Sequence, residues 1–229
     1  MMLSAAEIEA LLLSLRISSV AVAGSLPFAI ACALLLARPR FPGKVMVDGV
    51  VHLPLVLPPV VMGYLLLITL GTRAPIGGWL FHTFGIRLIF NWTGAAVAAG
   101  VVTFPFQVRA MRLALESIDP KLVAAARSLG ATRLDAFFTV ILPLMLPGIV
   151  AGVITAFAAS LGEFGAIITF VSNVPGETQT LPLAIYSAIQ TPGNEAAAAR
   201  LAALSVGLAL AGLMLSELAG RRARRLVGR

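Results

Sequence analysis

The sequence has 229 residues, of which 59% are hydrophobic and only 12% are charged, and its mean hydropathy is +0.97. Soluble domains are typically about 45–50% apolar and about 25% charged, so this composition excludes an ordinary soluble protein and predicts one that crosses a membrane several times. The single cysteine excludes intrachain disulfides and thiolate metal clusters, and the placement of the net charge of +7 indicates membrane orientation rather than nucleic-acid binding.

Five segments are apolar enough to cross a membrane, for which a helix needs about 20 apolar residues. They cover approximately residues 11–37, 45–70, 92–111, 144–171 and 197–219. The predicted fold class is therefore all-α, a polytopic transmembrane helical protein with about five spans. No polar block is long enough to fold by itself, so residues 1–229 are expected to form a single transmembrane domain.

The N-terminal segment does not have the pattern of a cleavable signal peptide. Glu7 and Glu9 stand where such a peptide carries basic residues, and the first apolar run ends at basic residues rather than at a small-residue cleavage site. We therefore expect the first span to be retained.

The second span contains Pro54, Pro58 and Pro59, each of which removes a backbone donor and bends a helix. Proline is common in membrane helices, so the three residues have an ordinary explanation. Irregular backbone at membrane depth also occurs where a helix lines a water-filled cavity. Three prolines within six residues therefore also indicate a cavity-lining or gating segment.

Basic residues are distributed unevenly between the two sides of the membrane. Thirteen of the 17 follow the first, third or fifth span: Arg38, Arg40, Lys44, Arg109, Arg112, Lys121, Arg127, Arg133, Arg221, Arg222, Arg224, Arg225 and Arg229. Because cytoplasmic loops carry the excess of Lys and Arg, this pattern predicts an N-terminus outside and a C-terminus in the cytoplasm.

Residues 119–143 form a compact charged segment that this topology places in the cytoplasm. Asp119 and Pro120 are a helix start, with aspartate as the N-cap and proline at the first helical position. Apolar residues at 122, 125, 126 and 129 predict one short amphipathic helix, which Gly130 ends as a C-terminal cap. Thr132 opens a second short helix through Val140.

Two interpretations of this hairpin follow from its physical chemistry. Basic amphipathic helices commonly lie on a lipid surface. Alternatively, the hairpin projects its apolar side chains into a groove of a soluble partner, with Phe137 and Phe138 as the anchors.

The spacing within the hairpin resembles the cytoplasmic signature loop of ABC importer permeases. That loop has Glu-Ala-Ala, three residues, Gly, nine residues, Ile, one residue and Leu-Pro; here Ala124 replaces the Glu and Val140 replaces the Ile. The resemblance implies that an ATP-binding subunit grips this coupling hairpin, residues 119–143. The contact residues it implies are Ala124, Ala125, Ala126, Arg127, Gly130, Phe137, Phe138, Leu142 and Pro143.

The whole chain is similar to the molybdate permease family, through FPGKVMVDGVVHLPLVLPPVVMGYLLL, SLGEFGAIITFVSNVPGETQTLPLAIY and IQTPGNEAAAARL. Sulfate and thiosulfate permeases share the general pattern, so they are the alternative within the same class. The resemblance implies an ABC importer type I permease core in the bacterial inner membrane, importing an oxyanion, with molybdate favoured. It also implies a second permease copy, a separate ATP-binding subunit and a periplasmic oxyanion-binding protein as partners, and no cofactor in this chain.

The translocation path is expected to involve polar groups of the fourth span and the bent second span. Glu163, in SLGEFGA, is a carboxylate at membrane depth, which is energetically costly and by default a functional candidate. It either pairs structurally with a neighbouring helix or contacts a gate. The expected path residues are Pro58, Pro59, Thr155, Ser160 and Glu163.

Motifs of catalysis are missing from the sequence. It contains no G-x-x-x-x-G-K-[ST] loop, no H-E-x-x-H and no G-x-S-x-G, and His52 and His82 are expected near opposite membrane faces. We therefore expect a transport subunit that is not itself an enzyme. An intramembrane enzyme or scaffold is the distant alternative, which co-purification with an ATPase subunit would exclude.

Overall fold

A computed structural model describes residues 3–38 and 40–226. Every regular element among these residues is helical, and the elements are α1 (Ala5–Leu36), α2 (Lys44–Val56), α3 (Pro59–Leu70), α4 (Pro75–Phe84), α5 (Trp92–Glu116), α6 (Pro120–Ser128), α7 (Arg133–Ala136), a π-helical turn (Phe137–Ile141), α8 (Leu142–Leu161), α9 (Gly165–Val171), α10 (Leu181–Gln190) and α11 (Glu195–Leu226). The prediction of an all-α fold is confirmed.

Within residues 3–38 and 40–226, four helical segments are long and apolar enough to cross a membrane: Ala5–Leu36, Trp92–Glu116, Arg133–Leu161 and Glu195–Gly212. The pair α2 and α3 is a fifth if its two halves count as one span. The predicted set of about five spans therefore agrees with the structure, although two of the spans differ in form from the prediction.

The second span is broken rather than merely kinked. Helix α2 ends at Val56, α3 begins at Pro59, and the two axes differ in direction by 117°. Pro59 occupies the first position of α3, where its missing amide hydrogen removes no helical hydrogen bond. Pro54, by contrast, lies inside α2 without ending it.

The fourth span was predicted at about residues 144–171, and the structure interrupts this stretch. Helix α8 ends at Leu161, and a short break precedes α9 at Gly165. The break contains Glu163, whose carboxylate accepts a hydrogen bond from the Ala166 amide at the start of α9. A side chain that caps the second helix thus stabilises an interruption inside an apolar run.

The centre of the bundle is formed by α1, α5 and α8, which pack along one another. Gly148 of α8 allows the closest approach, because a Cβ atom there would lie 2.4 Å from the Cβ of Ala114 on α5. Small residues of this kind let membrane helices approach closely. Polar contacts add to this packing, including a 2.7 Å hydrogen bond from the buried Gln107 Nε2 on α5 to Ser25 Oγ on α1.

The loop after α9 contains a short apolar helix, α10 (Leu181–Gln190). With ten residues it is too short to cross the hydrocarbon layer. Its first amide, at Leu181, donates a 2.7 Å hydrogen bond to the buried Ser14 hydroxyl of α1. This contact fixes the start of α10 against the first span.

Candidate functional site

The first part of the candidate site is the hairpin between α5 and α8. Its first helix begins as predicted, with the Asp119 carboxylate accepting from the Lys121 amide at 2.9 Å. Gly130 then turns the chain in the left-handed region, at φ +94°. The second helix is opened by a capping box in which Thr132 and Asp135 each bond the other's backbone amide. The hairpin geometry is therefore fixed locally by its own sequence.

The second helix of the hairpin does not stop at Val140, so this part of the prediction is wrong. A π-helical turn at Phe137–Ile141 joins α7 to α8, and Arg133–Leu161 is one continuous helical segment. Pro143 explains the wider turn, because it cannot donate to the carbonyl four residues earlier and its ring crowds that position. The Leu142 amide reaches back instead to the Phe137 carbonyl.

The hairpin exposes a row of apolar side chains. Leu129 is 90% exposed, Leu134 70% and Phe138 60%, whereas Phe137 is half-buried with its ring edge-on to Phe138 at 5.1 Å. Of the two predicted anchors, Phe138 is thus the accessible one. Leu129 and Leu134 are exposed as well, and exposed apolar side chains of an amphipathic helix can dock into a partner's groove.

The remaining residues of the predicted contact set are spread over both sides of the turn. Ala124, Ala125 and Arg127 are exposed on α6, while Ala126 is half-buried. Leu142 and Pro143 lie at the start of α8, where the hairpin joins the span. A crevice of about 230 Å³, lined partly by Leu115, Ile118 and Val123, lies between the hairpin and the ends of the spans.

The second part of the candidate site is the contact between the two broken spans. Helices α3 and α9 pack side by side, and both begin at a break. A Cβ atom on Gly165 would lie 2.9 Å from the Cβ of Pro59, so the two helix starts touch. Glu163, which is 7% exposed, lies immediately before α9. Of the five expected path residues, Pro59 makes this contact, while Pro58 precedes it and Glu163 lies two residues before Gly165 in the chain.

Thr155 and Ser160 lie elsewhere on α8. The Thr155 side chain is exposed and its hydroxyl donates to the Ala151 carbonyl of its own helix. Ser160 is buried and donates a 3.0 Å hydrogen bond to the Ser18 hydroxyl of α1. In this conformation Ser160 joins two helices, and Thr155 faces away from the packed side of α8.

A polar cluster at the C-terminal end of α5 was not predicted. Arg112 contacts the carboxylates of Asp48 at 3.0 Å and Glu116 at 2.8 Å, and the His52 ring nitrogen lies 3.1 Å from Asp48. The spacing of Arg112 and Glu116, four apart on one helix, is a signal that could have predicted their pair. The link to Asp48 depends on how α2 packs on α5. It ties the broken second span to the helix that leads into the hairpin.

Among the described residues there is no group of three or more His, Cys, Asp or Glu side chains arranged to hold a metal ion. The charged cluster at Arg112 is an ion-pair network, and the hairpin and the broken helices carry only scattered polar groups. The arrangement is a hairpin with exposed apolar side chains, continuous with the helical segment Arg133–Leu161.

A family model described as "Binding-protein-dependent transport system inner membrane component" matches residues 25–225. The chain therefore belongs to this family, and it is a multi-pass membrane component of an ATP-driven importer rather than an enzyme. It is 58% identical over 229 residues, the whole of both chains, to the "Molybdenum transport system permease protein ModB" of Escherichia coli K12.

Other relatives agree with this placement. The ModB protein of Haemophilus influenzae is 54% identical over 222 residues, covering 97% of each chain. The "Sulfate transport system permease protein CysT" of Escherichia coli K12 is 36% identical over 201 residues, covering 88% of this chain and 72% of that protein.

Solved structures show the same fold. The "MetNI methionine ABC transporter" in inward-facing conformations matches with a TM-score of 0.74 and 20% identity, covering 97% of this chain and 96% of the other. A "bacterial alginate ABC transporter" matches with a TM-score of 0.76 and 21% identity, covering 96% and 80%.

Proposed function

We propose that this chain is the permease subunit through which an ABC importer moves molybdate from the periplasm to the cytoplasm. The observation that carries the proposal is the 58% identity to a molybdenum permease over the full length of both proteins. The identity to a sulfate permease is lower and covers less of that protein, so sulfate or thiosulfate import is the second candidate.

The proposed assembly contains two copies of this chain, two ATP-binding subunits and a periplasmic oxyanion-binding protein. Family membership supports the binding protein and the membrane location. The distribution of basic residues supports an N-terminus outside and a C-terminus in the cytoplasm. In this orientation the hairpin of residues 119–143 is on the side where ATP is hydrolysed.

The hairpin is proposed to transmit the movement of the ATP-binding subunits. The exposed Leu129, Leu134 and Phe138 enter a cleft of the ATPase, and nucleotide binding then moves the hairpin. Because Arg133–Leu161 is one continuous helical segment, a rotation at its cytoplasmic end tilts its entire length. Its far end is the break that carries Glu163, next to the contact between α3 and α9.

The path for the anion is proposed to run past this pair of broken helices, at Pro58, Pro59 and Glu163, with Thr155 and Ser160 reached as α8 tilts. A divalent oxyanion cannot enter an apolar medium without replacement of its hydration. Backbone N–H groups at helix starts and side-chain hydroxyl groups can supply hydrogen bonds that replace this hydration. The like charge of Glu163 disfavours tight binding, and we assign substrate selectivity to the binding protein.

Uptake measurements test the proposed function directly. In a bacterial strain that lacks this chain, labelled molybdate uptake should fall to background and should return when the full-length chain is supplied. An excess of unlabelled sulfate should leave the restored uptake unchanged. Loss of sulfate uptake with intact molybdate uptake would instead favour the second candidate.

Replacement of Glu163 by glutamine tests its part in the path. The amide oxygen of glutamine can still accept from the Ala166 amide, so the break before α9 should persist, whereas the charge is lost. We expect molybdate uptake to fall by roughly tenfold, equivalent to about 1.4 kcal/mol, with normal assembly. Glu177→Gln, an exposed carboxylate in the loop after α9, is the matched control. Normal uptake by Glu163→Gln would leave this carboxylate with a purely structural role.

A further inference from the structure

Helix α4, between the second and third spans, exposes three large apolar side chains that neither the coupling hairpin nor the proposed path uses. Ile76 is 52% exposed, Trp79 58% and Phe84 61%. The rings of Trp79 and Phe84 meet edge to face with their centroids 5.4 Å apart. The exposed aromatic pair is therefore preorganised.

Helix α4 is fixed against the end of α3 at Gly77. Gly77 is buried there, and a Cβ atom at this position would lie 2.0 Å from the Leu70 carbonyl oxygen. Helix α4 cannot rotate to bury its apolar side chains without losing this contact. They must be covered by something outside the chain or remain exposed.

The position of α4 along the membrane normal is indicated by the start of α5, to which a short segment joins it. Leu88 and Ile89, in the segment that joins the two helices, pack on the same core cluster as Trp92 at the first position of α5. The Arg16 guanidinium lies 3.7 Å from the Trp92 ring centroid. Both tryptophans of the chain are thus at this end of the bundle, and tryptophan is enriched where membrane helices meet the headgroup region.

The charged residues that flank α4 in the sequence are all basic. Arg73 precedes the helix and Arg87 follows it, both are exposed, and the sequence contains no acidic residue between Asp48 and Glu116. The Arg87 guanidinium lies 5.5 Å from the Phe81 ring centroid. Basic side chains beside exposed aromatic side chains are typical of a helix that lies in the bilayer interface and attracts anionic lipid.

We propose that α4 is an interfacial anchor that inserts Ile76, Trp79 and Phe84 at the headgroup boundary while Arg73 and Arg87 contact anionic phospholipid. In the proposed orientation this is the outer leaflet. The inference goes beyond the proposed function, because it concerns a lipid contact that does not depend on which anion is carried.

The anchor has a mechanical consequence for the broken second span. Helix α4 is fixed to the end of α3 through Gly77, and α3 packs on α9. An anchored α4 holds the end of α3 at constant depth while the coupling hairpin tilts α8. The break before α9 would then absorb the movement.

Tryptophan fluorescence tests this proposal on the full-length chain. The Trp92→Phe variant keeps Trp79 as the single tryptophan and retains an aromatic ring for Arg16; Trp92→Tyr is the substitute if the phenylalanine variant does not fold. The protein is reconstituted in vesicles of phosphatidylethanolamine and phosphatidylglycerol that carry brominated acyl chains. We expect bromine near the carbonyl end of the chains to reduce Trp79 emission more than bromine near the methyl end.

The matched control is Trp79→Phe, which leaves the half-buried Trp92 beneath Arg16 and should show a smaller loss of emission. Trp79 emission that responds to aqueous iodide but not to brominated lipid would overturn the proposal and indicate a soluble partner. If neither iodide nor brominated lipid quenches Trp79, the proposal is overturned, and a second copy of the chain covers this side of α4. Equal quenching with and without phosphatidylglycerol, or in the Arg73→Gln, Arg87→Gln double variant, would overturn the headgroup contact.

Discussion

Replacement of Gly130 by valine is expected to reduce molybdate uptake by about tenfold or more while the membrane bundle stays folded. Gly130 adopts φ +94°, and a left-handed backbone costs a residue with a Cβ about 1–2 kcal/mol. A Cβ atom there would meet nothing within 4 Å, so the effect comes from the backbone and not from a clash. Relief of this strain reorients α6 relative to α7 and separates Leu129 from Leu134.

The measurement is uptake together with co-purification of the ATP-binding subunit. Gly43→Val is the matched control, because Gly43 has φ +82° and equally open surroundings but precedes α2, outside the hairpin. Gly130→Asn, which tolerates the left-handed region, should retain most of the uptake. Wild-type uptake by Gly130→Val would contradict the proposed coupling, and equal losses in both valine variants would indicate general misfolding.

The spans and the hairpin caps could be predicted because their signals are local. A run of about 20 apolar residues needs no partner to be recognised. The Asp119 and Thr132 caps act within three residues along the chain. Gly130 indicates a left-handed turn because glycine has no Cβ atom. The hairpin caps are present in the structure as expected, and so are the apolar segments, although two of the spans are interrupted.

The breaks and the continuous helix could not be predicted, because proline alone does not decide where a helix ends. Pro54 lies within α2, and Pro143 is accommodated by a π-helical turn, although proline at either position is expected to break a helix. The break after Leu161 has no proline at all. It depends on a carboxylate cap and on the packing of α9 against α3, which are tertiary features.

The polar contacts of the site show the same limit. Ser160 and Ser18 lie 142 residues apart, and Asp48 and Arg112 lie 64 apart. A hydroxyl in an apolar span has the same sequence signature whether it faces a path or a neighbouring helix. Only the packing of α1 on α8 assigns Ser160 to a helix contact in this conformation.

Replacement of Gly63 by alanine is expected to disrupt the contact between the two broken spans. A Cβ atom on Gly63 would lie 2.7 Å from both the Ala166 carbonyl oxygen and the Thr169 Cβ. Neither atom can swing away as the end of a flexible side chain could, so α9 must shift as a unit. Overpacking of this kind costs about 1–3 kcal/mol, and α9 has only seven residues with which to distribute the strain.

We expect the Gly63→Ala protein to unfold at a lower temperature in detergent and to lose most of its molybdate uptake. Gly49→Ala is the matched control, since Gly49 lies within α2 with nothing within 4 Å of its Cβ position, and alanine in a helix is more favourable than glycine by about 1 kcal/mol. Unchanged stability and uptake in Gly63→Ala would contradict tight packing of α3 on α9. Lowered uptake with normal stability would locate the effect in the movement of these helices, because Gly63 lies apart from the coupling hairpin and has no side chain with which to bind the anion.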